Sequence, residues 1–485
     1  MGGLEFRSAG EQVAALAARQ VSALELTDRA IARIERYDGK LNAVVVRDFD
    51  RARAAARAAD AALARGERKP LLGVPMTVKE SYNVAGLPTT WGVPGAKDWK
   101  PAEDAVAVSR IKAAGAVIIG KTNVPTFLAD WQCYNDIYGT TSNPWDVTRT
   151  PGGSSGGAAV ALAAGYVALE LGSDIGGSLR VPAHYCGVFG HKPTYALVPS
   201  RGHVPPLVPA LPTTIDLAVV GPMARSAADL AVALDVIAGP DEPQAVAYRL
   251  ALPAPRHGEL KDFRVLVIDA HPLIPTDATT RAALDRLADD LAAAGVTVAR
   301  SSPLMPDLAT MARVYTQLLI PIFTADIPIE AYRHAQSSAA AIAADDRSLD
   351  AVRARSAALT HRDWIVADRA RAGLAARWRE LFAAFDVVLC PVMPTSAFPH
   401  DHSSEQSKRR IRIDGVEHPY LDQIVWPALA TLVGLPATAA PIGRSPEGMP
   451  IGVQIIGPYL EDHTPIAFAG LIERAFGGFV PPPGF

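Results

Sequence analysis

The sequence predicts an α/β fold in which a mostly parallel or mixed sheet is covered by helices on both faces. Two observations carry this. Short apolar runs of strand length alternate with helical patterns from about residue 70 to 480. The 485-residue chain is also 49% hydrophobic, enough for a sizeable core. Length alone permits two to four domains or one large α/β domain with insertions. Neither a repeat of about 20–50 residues nor a low-complexity linker divides the chain.

The elements follow in order. Residues 1–70 read as a helical segment, with Ser22 and Glu25 forming a capping box before "LELTDRAIARIERY" and a second, Ala/Arg-rich helix at about 48–65. "LLGVPMTVKE" (71–80) is a short buried strand, "DAVAVSRIKAAG" (104–115) a helix and "AVIIGK" (116–121) a strand. "GGAAVALAAG" (156–165) is helical and "YVALELGSD" (166–174) extended. "RVLVID" (264–269), a helix at 279–294 and "VTVAR" (296–300) repeat the pattern. "FDVVLCPVM" (385–393) and "IGVQIIG" (451–457) supply late strands, and "PIAFAGLIERAF" (465–476) a closing helix. Residues 310–380 are helical, interrupt the alternation and suggest a cap over the sheet. The polar stretch 399–420 reads as a surface loop.

Composition excludes several classes. A net charge of −3 gives no support for a nucleic-acid or anionic-membrane partner. Three scattered cysteines, Cys133, Cys186 and Cys390, argue against a disulfide framework and fit a reducing compartment. None lies in a CxxC or Cys/His cluster, so a zinc site is not expected; no other metal and no cofactor is expected either. "MGGLEFRSAGEQV" has no apolar signal-peptide core. The apolar run 427–443 is broken by Gly434, Pro436 and Pro441, and reads as buried core or loop rather than a span of ~20 residues. The expectation is a cytoplasmic protein without a membrane anchor.

Three motifs bear on chemistry. "GAVIIGKT" (115–122) matches the phosphate-binding pattern G-x-x-x-x-G-K-[ST], but a helix precedes it and Ala-Val-Ile-Ile favours a strand where the phosphate loop needs open backbone. "GGSSG" (152–156) matches the nucleophile elbow G-x-S-x-G, which requires a strand directly before it; here "WDVTRTP" precedes, ending in Pro151. The third motif pairs this segment with "GSDIGGSLR" (172–180) at the end of a predicted strand. Consecutive N–H groups at Ile175, Gly176, Gly177 and Ser178 suit an oxyanion hole, with Ser178 beside it. Each segment alone reads as a tight turn; two flanking one helix–strand unit favour a site. A serine needs a base, and Lys79, ending the apolar "VPMTV", is the candidate. The alternative for Lys79 is a cation emerging at the sheet edge to meet Glu80 or water.

These segments together resemble the amidase signature family of serine hydrolases. The matching pieces are "GVPMTVKE", "GKTNVPTF", "GTTSNPWDVTRTPGGSSGGAAVALAAG", "GSDIGGSLRVPAHYCGVFGHKPT", "GLPATAAPIG" and "MPIGVQIIGP", in order from about residue 5 to 480 and densest over 71–200. Both decoy motifs are parts of that pattern. The resemblance implies a single α/β domain, 1–485, with a large, mixed, twisted central sheet between helices and its catalytic core at 71–200. It implies a Ser178 nucleophile, Ser154 bridging to Lys79 as general base, and a cis Gly153–Ser154 peptide. It implies an oxyanion hole from the N–H groups of Ile175, Gly176 and Gly177. Ser155 is expected near Lys79, and Asp174 and Arg180 are expected to hold the loop. The chain departs from the family at Ala158, where serine is frequent, at His184, where small residues are, and at His191, where leucine is.

The resemblance implies an amidohydrolase acting through an acyl-enzyme on a small-molecule substrate, as a monomer or homodimer. Leu128, Trp131 and Tyr134 fall where it suggests a pocket wall, and "HVPPLVPALPTT" (203–214) suggests a semi-rigid rim. These apolar features favour apolar or aryl acyl amides. Carbamate or ester hydrolysis by the same triad and the glutaminase subunit of an amidotransferase are the alternatives. An NTP-binding protein using 115–122 and a non-catalytic binding module are alternatives of another class; the intact Lys-Ser-Ser set speaks against the last.

Overall fold

Eleven strands build one sheet in the computed structural model, which describes residues 3–210 and 212–485. Residues 1 and 2 of the N-terminal segment and residue 211 of the proline-rich stretch lie outside the described residues. The strands are β1 (Val44–Arg47), β2 (Pro75–Lys79), β3 (Val117–Thr122), β4 (Leu169–Asp174), β5 (Phe189–Lys192), β6 (Val219–Ala224), β7 (Arg264–Val267), β8 (Thr297–Ala299), β9 (Val387–Pro391), β10 (Ala437–Arg444) and β11 (Pro450–Ile456). Their spatial order is β1-β3-β2-β4-β6-β5-β10-β11-β9-β7-β8. The sheet is mixed. β2 runs parallel to β3 and β4, and β7 parallel to β8 and β9, whereas the strands between pair antiparallel. β2 through β7 are almost wholly buried, consistent with helices covering the sheet.

The strand order also positions the site. From β2 the chain passes to β3 on one side and then to β4 on the other, so β2 and β4 flank a topological switch point. Crossovers leave in opposite directions there, opening a crevice outside the carboxyl ends of the strands. Lys79 is the last residue of β2 and Asp174 the last of β4.

Most expected elements form where the periodicity puts them, including the Ser22–Glu25 capping box on the helix Ala23–Leu41. Three differences, and one choice between expected readings, have physical causes. The N-terminal segment is not all helix: Val44, Val45 and Val46 are β-branched and add β1 to the edge of β3. The run 427–443 is buried core, one of its two expected readings, built from the helix Val425–Thr431 followed by β10, whose Pro441 sits at a bulge. The stretch 399–420 is not a simple surface loop. It contains a hairpin, Arg410–Ile413 with Val416–Pro419, turned by Asp414 and Gly415 at positive φ. β5 and β6, two central strands, have no counterpart among the expected elements.

Residues 310–380 form the helices Leu308–Thr324, Ile329–Ala340, Leu349–Ser356 and most of His361–Ala384. Among the described residues, no helix is long and apolar enough to cross a membrane.

Candidate active site

The parallel pairing of β2 with β4 sets Thr77 opposite Glu170 and Val78 opposite Leu171, which brings Lys79 beside the end of β4. Its Nζ donates to Ser173 Oγ at 2.9 Å and to Ser154 Oγ at 2.6 Å. Ser154 reaches this point from the loop that enters the helix Gly156–Ala163, and the Gly153–Ser154 peptide is cis. Only glycine fits at 153: a Cβ there would lie 2.4 Å from the Asp130 carbonyl and 2.5 Å from that of Gln132. The two glycine-serine segments are knitted together. Ser155 N–H donates to the Ser178 carbonyl at 3.2 Å, and Ser155 Oγ lies within hydrogen-bond range of Ser173 O and N. Ser155 therefore reaches Lys79 through Ser173, a residue the sequence reading missed.

Lys79 is fully buried, and that burial pushes its ammonium down to about 7, against the opposing pull of Cys133, Asp174 and Glu170. Burial likewise pushes the Glu170 carboxyl up to about 8 despite the hydrogen bond it accepts from Thr122, which weakens its pull on the lysine.

Beyond β4 the chain turns through the partly exposed Ile175, then Gly176 and Gly177, to Ser178, which is 5% exposed. Gly177 has φ 99°, and a Cβ there would lie 2.8 Å from Pro427 and Val181 side-chain carbons. The loop is held by a buried ion pair. Arg180 meets Asp174 through Nη2 at 2.7 Å and Nε at 3.0 Å, and also donates to Thr431, the Pro427 carbonyl and Gln454. Burial opposes ionisation, but the Arg180 charge and hydrogen bonds hold the Asp174 carboxyl below its ordinary value. Asp174 accepts from Leu179 N–H at 3.1 Å and from Gly177 N–H at 2.9 Å. Gly177 N–H, one of the three donors expected for an oxyanion hole, thus already has an acceptor in Asp174. Among the described residues, the N–H groups of Ile175 and Gly176 have no acceptor.

Of the three expected pocket residues, Trp131 meets this loop: its indole donates to the Gly176 carbonyl at 2.8 Å. Tyr134 instead accepts from Arg409 at 2.6 Å, and Leu128 lies in a partly exposed turn, Thr126–Leu128. A buried pair absent from the sequence reading anchors this wall: Arg409 Nη1 to Asp130 Oδ2 at 2.6 Å, with the Tyr420 hydroxyl on Asp130 Oδ1 at 2.6 Å. Cavities of about 400 and 520 Å³ lie among the helices at 308–384, and none of the expected site residues lines either.

The histidines near the nucleophile motif are all engaged by other groups of the fold. His184 bonds the Thr395 carbonyl and the Gly452 N–H, and His191 bonds Thr438 and Asp462. His203 bonds Ser81. Of the segment 115–122, Val117–Thr122 is β3, with Lys121 buried and donating to the Pro88 carbonyl and to Thr89 Oγ1, so it offers no phosphate loop. Among the described residues, no group of three or more His, Cys, Asp or Glu side chains could hold a metal ion.

The fold and this set of motifs define an amide-hydrolysing class, and the comparisons agree. The chain belongs to the amidase signature family: the Amidase family model matches residues 25–465. It is 35% identical over 501 residues to a glutamyl-tRNA(Gln) amidotransferase subunit of Anaeromyxobacter sp. (strain K), covering 99% of this chain and 98% of that protein. It is 34% identical over 477 residues to indoleacetamide hydrolase of Bradyrhizobium diazoefficiens, covering 96% and 86%. Among solved structures it matches, with a TM-score of 0.80 and 29% identity, a chain from an inhibitor-bound complex tied to the origins of an s-triazine catabolic enzyme, covering 98% of this chain and 100% of that one.

Proposed function

We propose that the protein hydrolyses a carboxylic amide of an apolar or aryl acyl group through an acyl-enzyme on Ser178. Ser178 attacks the carbonyl carbon as its proton passes to Ser154 and from Ser154 to Lys79. The developing oxyanion is held by the Ile175 and Gly176 N–H groups. Collapse expels the amine, which takes its proton back from Lys79 through Ser154. Water then attacks the acyl-enzyme along the same relay and frees the acid. The single observation carrying this reading is the 2.6 Å contact between Lys79 and Ser154 in a buried setting. A lysine at its free value stays charged and cannot accept a proton at neutral pH; burial supplies the neutral amine.

Trp131, which bonds the nucleophile loop, forms the acyl side of the pocket, and the helices at 310–380 cap it. The indoleacetamide hydrolase relative supports an aryl acyl preference. A second reading, the glutaminase component of an amidotransferase, is favoured by the 35% identity to the Anaeromyxobacter protein. Carbamate or ester cleavage would use the same triad.

The test is a hydrolysis screen over aryl acetamides, anilides, esters, carbamates and glutamine, with Ser178→Ala as control. Turnover of an aryl acyl amide that vanishes in the variant supports the proposal. Turnover of glutamine alone selects the second reading. Turnover unchanged in Ser178→Ala removes both.

A further inference from the structure

We infer that Tyr315 is a positioning residue for the oxyanion hole, holding the Ile175–Gly176 peptide so that the Gly176 N–H faces the reacting carbonyl. The inference deepens the proposed function and rests on it.

Tyr315 lies on the helix Leu308–Thr324, 140 residues from the loop it touches, on a face buried with Met311, Ala312, Leu318 and Leu319. It is fully buried, and its hydroxyl donates to the Ile175 carbonyl. A Cβ on Gly176 would lie 3.5 Å from that hydroxyl oxygen and 3.0 Å from Ile424 Cδ1, so the loop is packed directly against it. Burial, together with the nearby Asp174 charge, raises the phenol well above its ordinary value, which keeps it a neutral donor.

The geometry of a planar trans peptide does the rest. Its C=O and N–H point in opposite directions, so fixing one aims the other. The next peptide, Gly176–Gly177, is held at both ends: Trp131 bonds its carbonyl and Asp174 its N–H. That plane has no donor left to offer. The Ile175–Gly176 plane is held at its carbonyl only, by Tyr315, and its N–H has no acceptor among the described residues. A donor on the carbonyl also polarises the amide and strengthens the bond its N–H can give. Without the hydroxyl, the plane can rock and the N–H loses both aim and strength.

The test compares wild type with Tyr315→Phe, which keeps the ring and removes the donor, on an amide that the wild type turns over. Loss of an oxyanion donor outright costs about 10²–10³ in kcat. Tyr315 acts one group removed, so kcat should fall about tenfold with KM nearly unchanged. Inhibition by a trifluoromethyl ketone, whose adduct carries an oxyanion, should weaken by a similar factor. The pH of the rising limb should not move, because Lys79 is untouched. A folded variant with kcat and ketone inhibition within about twofold of wild type overturns the inference. A loss in KM alone overturns it as well. If Tyr315→Phe does not fold, 3-fluorotyrosine at 315 replaces it: its more acidic hydroxyl should shift kcat and ketone affinity together, and no change in either overturns the inference. Fluorophosphonate labelling of wild-type Ser178, run alongside, tests the underlying reading separately: no label at Ser178 condemns the nucleophile, not the tyrosine.

Discussion

Lys79 Nζ and Ser154 Oγ stand 2.6 Å apart, although 75 residues separate them in the chain. The contact exists because β2 and β4 are parallel neighbours at a switch point, and because the loop into the helix Gly156–Ala163 folds across their carboxyl ends. Among the described residues the lysine has one other side-chain partner there, Ser173 Oγ at 2.9 Å.

Ser173 should therefore tune the base. An acceptor stabilises a charged ammonium more than a neutral amine. Ser173→Ala should favour the neutral form and move the rising limb of the pH–rate profile to lower pH, while losing part of the relay's alignment and lowering kcat. A limb that moves to higher pH, measured on the same amide, would contradict this.

The histidines should prove structural. Burial pushes His184 down to about 4 and His203 to about 3, and His184 is held by two backbone groups. His184→Ala should cost about 1–3 kcal/mol from the unsatisfied backbone groups, seen as a lower Tm. It should leave kcat within about tenfold, whereas loss of a triad member costs about 10⁴ or more. A folded His184→Ala, His191→Ala or His203→Ala enzyme with the larger loss would restore a histidine base.

The Asp174–Arg180 pair should be a stability feature that secondarily shapes the loop. Both side chains are fully buried. Arg180→Met leaves an unpaired carboxylate in the interior, which costs about 3–5 kcal/mol. Chemical denaturation should show that loss. It should also show a variant whose acid sensitivity is reduced, because Asp174 no longer has a partner holding its carboxyl below the ordinary value.

Burial of Lys79 also predicts how stability varies with pH. Its value falls from 10.5 in the free chain to about 7 in the fold, so between these the unfolded chain binds more protons. Stability therefore rises with pH across that window. The gap corresponds to about 5 kcal/mol at most, present as a penalty below pH ~7 and gone above ~10.5. Lys79→Met should be more stable than wild type near neutrality, and the difference should shrink as pH rises towards 10. Equal pH dependence in the two proteins would show that Lys79 is not titrating in a buried site.

Much of this architecture was legible because it is local. Capping at Ser22, period-3.6 patterns and apolar runs located most helices and strands. The motif residues Lys79 and Ser154, distant in the chain, lie in hydrogen-bond contact. What escaped depends on distant pairing. β1 reads as a break between helices until the edge of β3 is there to accept it. β10 carries a proline and a glycine that look like loop. Ser173 lies inside a quoted motif, and strand geometry turns it towards Lys79, a cue available from its place next to Asp174. Arg409 and Tyr315 carry no local signal: one sits in a polar stretch, the other on an ordinary amphipathic helix. The Asp414-Gly415 turn was readable as a hairpin signal. Gly177 shows the limit of motif reasoning, since only its bond to Asp174 reveals that its N–H is occupied.

The most direct test of the Lys79–Ser154–Ser178 relay is the pH dependence of fluorophosphonate labelling, with the labelled peptide identified by mass spectrometry. The account predicts a single adduct on Ser178, formed at a rate that rises through about pH 7 as Lys79 loses its proton. Labelling should be lost in Ser178→Ala and slow and without that limb in Lys79→Ala. A label that persists at full rate in Ser178→Ala, or a Lys79→Ala enzyme that labels with the wild-type rate and pH profile, would contradict it.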